Sequence, residues 1–505
     1  MLLKVVGWLL MIESMFMAVP LCVALYYRES DWRGFLISSL LTLVTGFCMT
    51  KYIRPSTSKM GHREGFLLTA SVWVIFSIFG MIPFLICLPD FGITDSFFET
   101  MAGFTTTGAS VIDNAEELSK SMHFWRALMQ WIGGMGIILF TIAVLPMLNS
   151  SGGMQMFNAE VTGVTHDKVK PRISQTAKYL WLTYIILTGL AIVAFWIGPM
   201  DLFDSICHGF GTLSTGGYTT KSEGLNSFSS PYLLLVTTVF MFLGGINFGL
   251  IINAVYKGPG VLWKNEIFRV FTLLIVVMTV IFGIVIISKR GFSSPQEYII
   301  APLFQITSVL TSTGYTITSF ASWGFFTLGL IFVMMLIGGC AGSTSGGAKI
   351  DRILFLFKFC RNELYRCIHP NVVLSVQQNN RVMPAGLVSK VISFLCLYIM
   401  IIIGGAVAMS LFGVDPLHSF FSSFSCTPAG RGTGRRGGRS RRTAWWGTRP
   451  GPPGRRRRGS GIPPLLPPPP RHWPDRADVL PGGPPPRRGF FRRRGRSLPG
   501  PVSCP

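Results

Sequence analysis

Three short runs in this 505-residue chain carry the residue types from which chemistry could be built: Thr106-Thr107-Gly108-Ala109, Ser214-Thr215-Gly216-Gly217 and Ser312-Thr313-Gly314-Tyr315. None supplies a carboxylate, an imidazole or a thiol. They supply hydroxyls and backbone carbonyls, and their glycines accept the positive φ that lets successive carbonyls face one axis. Oxygen dipoles so arranged can replace the hydration shell of a cation without burying a full counter-charge. One Ser/Thr-Gly pair is an ordinary loop. Three of them, Thr107-Gly108, Thr215-Gly216 and Thr313-Gly314, recur about a hundred residues apart and form an internal repeat.

Each run follows an amphipathic segment, such as DSFFETMAGF or LFDSICHGFG, that is too short to cross a bilayer. Read as a re-entrant helix, it would aim its partially negative C-terminal end at the cation. Irregular backbone at membrane depth is tolerated only where protein or a water-filled cavity surrounds it. The surrounding elements are there: apolar stretches run over roughly 5–27, 34–53, 66–88, 123–148, 179–198, 231–256, 267–288, 322–339 and 388–412, each near the length of a spanning helix. With 49% hydrophobic and 13% charged residues, the chain reads as an all-α polytopic membrane protein. Its plan is a repeated unit of span, re-entrant pore loop and span around a central pore.

Charge sets the orientation. Lys51, Arg54, Lys59 and Arg63, then Lys168, Lys170, Arg172 and Lys178, then Lys257, Lys264 and Arg269 fall in alternate connections, which are expected on the cytoplasmic side. The Thr-Gly runs, with Asp90, Asp95, Glu99, Asp201 and Asp204, fall on the outer side. The ten cysteines form no CxxC pair and no metal-ligand spacing. No paired acids, histidine cluster or nucleophile constellation lies in the spans, which argues against a membrane-embedded enzyme.

Other residues are singled out by context. Arg126 is placed to pair with Glu99, to meet a carbonyl of the first run, or to anchor at the interface. Gln130 and the glycines of GGMG, 133–136, suit close helix packing. His208 reads as a packing residue rather than a ligand. The small-residue run IGGCAGSTSGGAKI, 337–350, reads as a helix break at membrane depth or as a kink.

The runs AGFTTTGAS, HFWRALMQWIGGMGIILFTIAVLP, GTLSTGGYTT, LTSTGYT and GGCAGSTSGGAKIDR together resemble the Trk/Ktr/HKT superfamily of potassium transporters, and within it the bacterial TrkH-type membrane subunit. Two spans ahead of the first repeat fit that branch, and the likeness extends to about residue 426. The resemblance implies four repeats around one pore in the bacterial inner membrane, with the three runs as strands of a selectivity filter for dehydrated potassium, the transported substrate. It implies a flexible gating loop of Gly338, Gly339, Gly342, Ser343, Gly346 and Gly347, with Lys349 and Arg352 at its cytoplasmic edge, where snorkelling or partner contact is the alternative role. It also implies a homodimer embedded in membrane lipids, no cofactor bound by this chain, no specific nucleic acid, and a peripheral cytoplasmic nucleotide-binding regulatory subunit of the TrkA type.

The expected division is two extra helices in 1–60, pore repeats in 61–150, 151–260 and 261–370, an incomplete fourth repeat in 371–426, and an Arg/Pro/Gly-rich disordered tail in 427–505. The tail holds 19 Arg and no Lys against Asp475 and Asp478, so +17 of the net +23 sits there, and it also holds 18 of the 32 prolines. Such a composition, beginning inside an expected element, is what translation of GC-rich DNA in a shifted frame produces; a basic tail binding anionic lipid or nucleic acid is the alternative. A filter short of one strand is expected to conduct poorly or not at all.

Overall fold

The computed structural model describes residues 2–53, 62–134, 136, 173–228, 230–290, 294–317, 323–372, 374–379 and 381–426, and the structural statements below concern these. The expected tail, 427–505, lies outside them, as does the later part of the 123–148 stretch.

α1 (Leu2–Tyr27) and α2 (Trp32–Tyr52) form an antiparallel hairpin. Small residues allow the two helices to approach closely: a Cβ added to Gly7 would lie 2.8 Å from Gly46 O. Ser14 Oγ donates to Ser39 O at 2.8 Å, satisfying a hydroxyl that lipid could not.

Three units follow with one plan. In the first, α3 (His62–Gly80) and α4 (Ile82–Cys87) lead to the short helix α5 (Ile93–Phe104) and then to α6 (Lys120–Gly134). In the second, α7 (Ile173–Ile197) leads to the short α8 (Leu202–Leu213) and to α9 (Pro231–Gly245) and α10 (Phe248–Lys257). The third begins after the one-turn α11 (Gly260–Lys264). There α12 (Glu266–Arg290) leads through a π-turn to the short α13 (Ala301–Leu310), then to α14 (Phe325–Ile337) and α15 (Ile350–Ile368). A small antiparallel ladder pairs Gln377 with Val382 and Gln378 with Arg381. It precedes α16 (Ala385–Leu411) and the short α17 (Pro416–Cys426), the opening half of a fourth unit. The short helices have 10 to 12 residues. At 1.5 Å per residue that is about 15–18 Å, roughly half a hydrocarbon core.

Among the described residues six helices are long and apolar enough to cross a membrane, or seven if the bent pair of α9 and α10 counts as one span. Two of the nine stretches differ from expectation. The stretch 231–256 is not one straight helix: α9 and α10 meet at 99°, as in a broken span or a re-entrant turn. Gly244 and Gly245 end α9, and the Asn247 side chain accepts from Leu250 N to start α10 anew. The stretch 322–339 yields a helix of 13 residues, because Gly338, at φ +73°, turns the chain out of α14.

Buried apolar side chains gather unit by unit. One cluster joins α1 to the first unit around Phe104 and Trp125, and a second lies around Tyr184, Phe195 and Leu213. A third surrounds Phe271 and Phe282, and a fourth ties Phe355 of α15 to Tyr398 and Phe424. On α7 the opposite face carries Leu182, Ile186, Leu190 and Val193, each about half exposed, an apolar stripe at helical spacing that suits lipid.

Candidate functional site

The ends of the short helices carry the site. Beyond Phe104, Thr106 N donates to Gly103 O at 3.0 Å and Thr107 N to Ala102 O at 2.9 Å. Beyond Leu213, Thr215 N donates to Thr212 O and Gly216 N to Gly211 O; beyond Leu310, Ser312 N donates to Val309 O and Thr313 N to Ser308 O. This pairing is the Schellman closure, which needs a left-handed residue and usually finds glycine there. Here the left-handed residues are Thr106 (φ +54°), Thr215 (+53°) and Ser312 (+59°). Left-handed φ costs a residue with a Cβ about 1–2 kcal/mol, and for the β-branched Thr106 and Thr215 it is a true outlier. Strain of that size in three equivalent places signals a functional constraint rather than chance.

Two residues on, Gly108 (φ +70°), Gly217 (+77°) and Gly314 (+80°) are left-handed again. Left-handed residues alternating with a residue of ordinary φ turn successive carbonyls toward one side, where an extended strand would send them to opposite sides. By these backbone positions the second helix end is offset by one residue from the Thr-Gly pairs. Thr107 matches Gly216 and Thr313, while Ser214 matches the helix-capping Thr105 and Thr311. The second strand therefore runs from Thr215 to Tyr218, one residue later than the dipeptide suggests. The ungapped match of Asp95-Ser96 with Asp204-Ser205 carried that signal in the sequence.

Hydroxyls and amides lock the strands together. Thr105 and Thr107 share a hydroxyl contact of 2.8 Å, and so do Thr311 and Thr313. Gln130 of α6 clamps the second strand, donating to Gly216 O at 2.8 Å and accepting from Tyr218 N at 3.1 Å. The Tyr218 hydroxyl reaches back to Glu99 O (3.0 Å) and Ala109 O (3.2 Å) of the first unit. The Tyr315 hydroxyl lies 3.4 Å from Tyr218 O. The strands also crowd: a Cβ on Gly217 would sit 2.0 Å from Thr313 O.

The contacts run head to tail. A Cβ on Gly133 would meet Phe104 O of its own unit at 1.9 Å, and one on Gly134 would meet the Ser214 side chain of the next at 2.8 Å. Gly244 faces Leu213 O of its own unit and Gly245 faces Thr311 of the next, at 3.3 and 2.7 Å.

Behind the first strand Arg126 pairs with Glu99 at 2.8 Å, both buried, which selects the first of the three roles open to it. Glu99 also accepts from Val111 N and Ser110 Oγ, both at 3.0 Å, and the guanidinium carbon lies 4.2 Å from the Tyr218 ring centroid. Gln305 holds the equivalent place in the third unit, donating to Tyr315 O and accepting from Ile317 N. His208, third in this set, packs edge-on against Phe228 and bonds through Nδ1 to Asp204 O.

The segment between α14 and α15 lies against the strands. Thr344 Oγ1 donates to Leu213 O at 3.0 Å, at the base of the second strand, and Ser345 Oγ is 3.4 Å from Ser312 Oγ of the third. Its backbone fills the corner between α9 and α10: Cys340 N donates to Gly245 O, Phe248 N to Gly342 O and Asn247 Nδ2 to Ala341 O. Gly338 and Gly347 pack backbone on backbone, so a Cβ on Gly338 would lie 2.4 Å from Gly346 O. Gly339 N donates to Ser345 Oγ, and Ser343 Oγ to Cys340 O. Lys349 is 5% exposed and its ammonium donates to Ser345 O, so it folds over the loop instead of snorkelling. Arg352 donates to Ala348 O and stacks 4.0 Å over the Phe394 ring of α16. Thr344, Asn247, Tyr218 and Ser345 are not singled out by the sequence, because the partners they meet across the fold lie far along the chain, from 33 residues for Ser345 and Ser312 to 131 for Thr344 and Leu213.

No group of three or more His, Cys, Asp or Glu able to hold a metal ion occurs among the described residues. The oxygens at the strands are carbonyls and hydroxyls, ligands suited to a hard, singly charged cation.

Comparison with known proteins agrees with this architecture. Residues 33–437 match the family described as TrkH, cation transport protein. The Trk system potassium uptake protein TrkH of Escherichia coli strain K12 is 37% identical over 422 residues, 83% of this chain and 87% of that protein. The protein of the same name from Vibrio parahaemolyticus is 36% identical over 438 residues, 86% of this chain and 90% of that one. The crystal structure of the potassium transporter TrkH from Vibrio parahaemolyticus superposes with a TM-score of 0.77 at 34% identity, over 86% of this chain and 90% of that one. Strained helix ends, head-to-tail units and the loop beneath them thus belong to a membrane protein of known lineage: the chain is a member of the TrkH cation transport family.

Proposed function

We propose that the chain is a multi-pass inner-membrane subunit for potassium uptake, in which the three strands form part of a selectivity filter. One observation carries this reading: three equivalent helix ends hold non-glycine residues at positive φ, followed two residues on by glycines also at positive φ. Coordination is assigned to Thr106, Thr107, Gly108 and Ala109, to Thr215, Gly216, Gly217 and Tyr218, and to Ser312, Thr313, Gly314 and Tyr315, with Ser214 as the cap of its helix. The loop of Gly338, Gly339, Gly342, Ser343, Gly346 and Gly347, anchored by Lys349 and Arg352, acts as the gate. Its hydroxyl contacts with Leu213 and Ser312 support that role. Potassium is substrate here, not cofactor. A homodimer and a cytoplasmic nucleotide-binding partner complete the system.

The division into two leading helices, three complete repeats and an incomplete fourth belongs to the same proposal. In α17, Ser419 N donates to Asp415 O, as Ser205 N does to Asp201 O at the start of α8. Continued at the length of α8, the capping position falls on Pro428. A proline has no N–H for the bond that Thr105 makes to Met101 O, Ser214 to Phe210 O and Thr311 to Thr307 O. This supports weak or absent conduction by the chain with its present sequence after Cys426.

The test is rubidium uptake by potassium-starved cells that lack their own uptake systems and express the chain at the membrane. Uptake competed by potassium and not by sodium supports the filter and shows that the altered fourth unit is tolerated. If the chain reaches the membrane and is silent, the sequence after Cys426 is exchanged for that of a complete relative. Continued silence then refutes the transport reading.

A further inference from the structure

A second site lies away from the strands, at the end of the molecule where the positive connections gather. A cleft of ≈ 440 Å³ opens between the start of α12, the middle of α15 and the Gln377–Val382 ladder. Four cations line it, Lys264, Arg269, Lys358 and Arg361, against one acid, Glu266. Glu266 is already committed: it pairs with Lys358 at 2.5 Å, and Lys358 also donates to Gln377 O at 2.8 Å. Lys264, Arg269 and Arg361 are exposed at its edge, and no ion pair joins any of them to a described residue.

Ordinary positive-inside bias accounts for basic residues at this end of the molecule, but not for their placement around one concavity. The three uncompensated cations come from three helices, Lys264 from α11, Arg269 from α12 and Arg361 from the distant α15, and the small ladder walls the cleft between them. The helix end beside them is not the attraction, because Asn379 Oδ1 and Asn265 Oδ1 already take the N–H groups of Glu266 and Phe268. The wall is rigid, with Asn379 tied to Glu266 in both directions.

We infer that this cleft binds a phosphate group, held between Arg269 and Arg361 with Lys264 at the rim. Guanidinium pairs suit phosphate because their N–H groups match its oxygens two at a time. The volume suits a phosphodiester headgroup or a small soluble phosphate ester. A ligand there bridges α12, a spanning helix, to α15, the helix that leaves the loop beneath the strands. Binding itself does not depend on the transport reading.

The test uses the purified full chain in neutral detergent, with two probes. Equilibrium dialysis with labelled pyrophosphate reports soluble phosphate; retention of phosphatidylglycerol against phosphatidylcholine from mixed micelles reports a headgroup. The variants are Arg269→Gln/Arg361→Gln and the charge-keeping Arg269→Lys/Arg361→Lys. The tail with its 19 Arg is identical in all chains, so only differences between them count. The Gln pair should weaken one probe by about tenfold or more, as expected for losing charge-assisted contacts. The Lys pair should fall between it and the parent. Loss in the dialysis arm assigns a soluble phosphate compound, and loss confined to the lipid arm assigns a headgroup. Equal binding of both probes by the parent and the Gln pair, with unchanged elution and thermal midpoint, overturns the site.

Discussion

Glu99→Gln is the most informative single change behind the strands. Glu99 accepts from Arg126, Ser110 Oγ and Val111 N, and both members of the ion pair are almost wholly buried, at 0% and 3% exposure. An amide keeps the shape and one acceptor but leaves the guanidinium without a counter-charge. Stranding a buried charge in this way costs about 3–5 kcal/mol. The Tyr218 ring, 4.2 Å away, offsets about 0.5–2 kcal/mol of attraction at most and is present in both chains. Arg126→Met costs less, since the acid keeps its Val111 and Ser110 partners. In the double variant neither charge remains, so its loss should fall short of the summed single losses by about 2–3 kcal/mol. A reversible unfolding titration of the four chains in mixed micelles measures this coupling. Additivity within about 0.5 kcal/mol would show that the two charges are independent and that their pairing does not hold the strand.

Three further outcomes are expected. Tyr218→Phe removes a hydroxyl that bonds Glu99 O and Ala109 O, and should cost about 1–3 kcal/mol and weaken stabilisation by potassium more than by sodium, read as thermal midpoints in the two salts; an equal response to both ions would place Tyr218 outside the selective machinery. Gly217→Ala puts a methyl 2.0 Å from Thr313 O at φ +77° and should lose at least about 2 kcal/mol together with the potassium effect, whereas Gly189→Ala, with open space around it, should lose neither. Glu13→Met should raise the unfolding midpoint, since both carboxylate oxygens are buried with no hydrogen-bond partner and an apolar replacement relieves about 1–3 kcal/mol; a lower midpoint would mean that the acid has a partner or a task.

The units and their short helices were legible because both signals are local: runs near spanning length, and amphipathic segments ending in Thr and Gly. The 337–350 break was legible from its glycines. What escaped the sequence depends on contact across units. Gln130 clamps Gly216 from 86 residues away, and Thr344 reaches Leu213 across 131. The corner after Gly245 escaped because hydropathy reads straight through it, while its cause, the cap at Asn247 and the loop bonded into the bend, is tertiary. The second unit's left-handed positions fall one residue later than its Thr-Gly dipeptide implies, because the end of the helix and not the dipeptide sets their phase. Arg126 had three open roles until burial of Glu99 chose among them.

The direction of the head-to-tail contacts has a consequence for inheritance of damage along the chain. Each strand is braced by the unit before it: Gln130 and Gly134 hold the second, and Gly245 lies against the third. If four such units close a ring, as proposed, it has no privileged beginning, and the brace for the strand from Thr106 to Ala109 would fall to the last unit. That brace would come from sequence after Cys426. On the proposed four-unit plan, a change of sequence after Cys426 would therefore reach beyond the fourth unit to the strand nearest the N-terminus. Among the described residues, Glu99, Arg126 and the Tyr218 hydroxyl are what hold that first strand from behind.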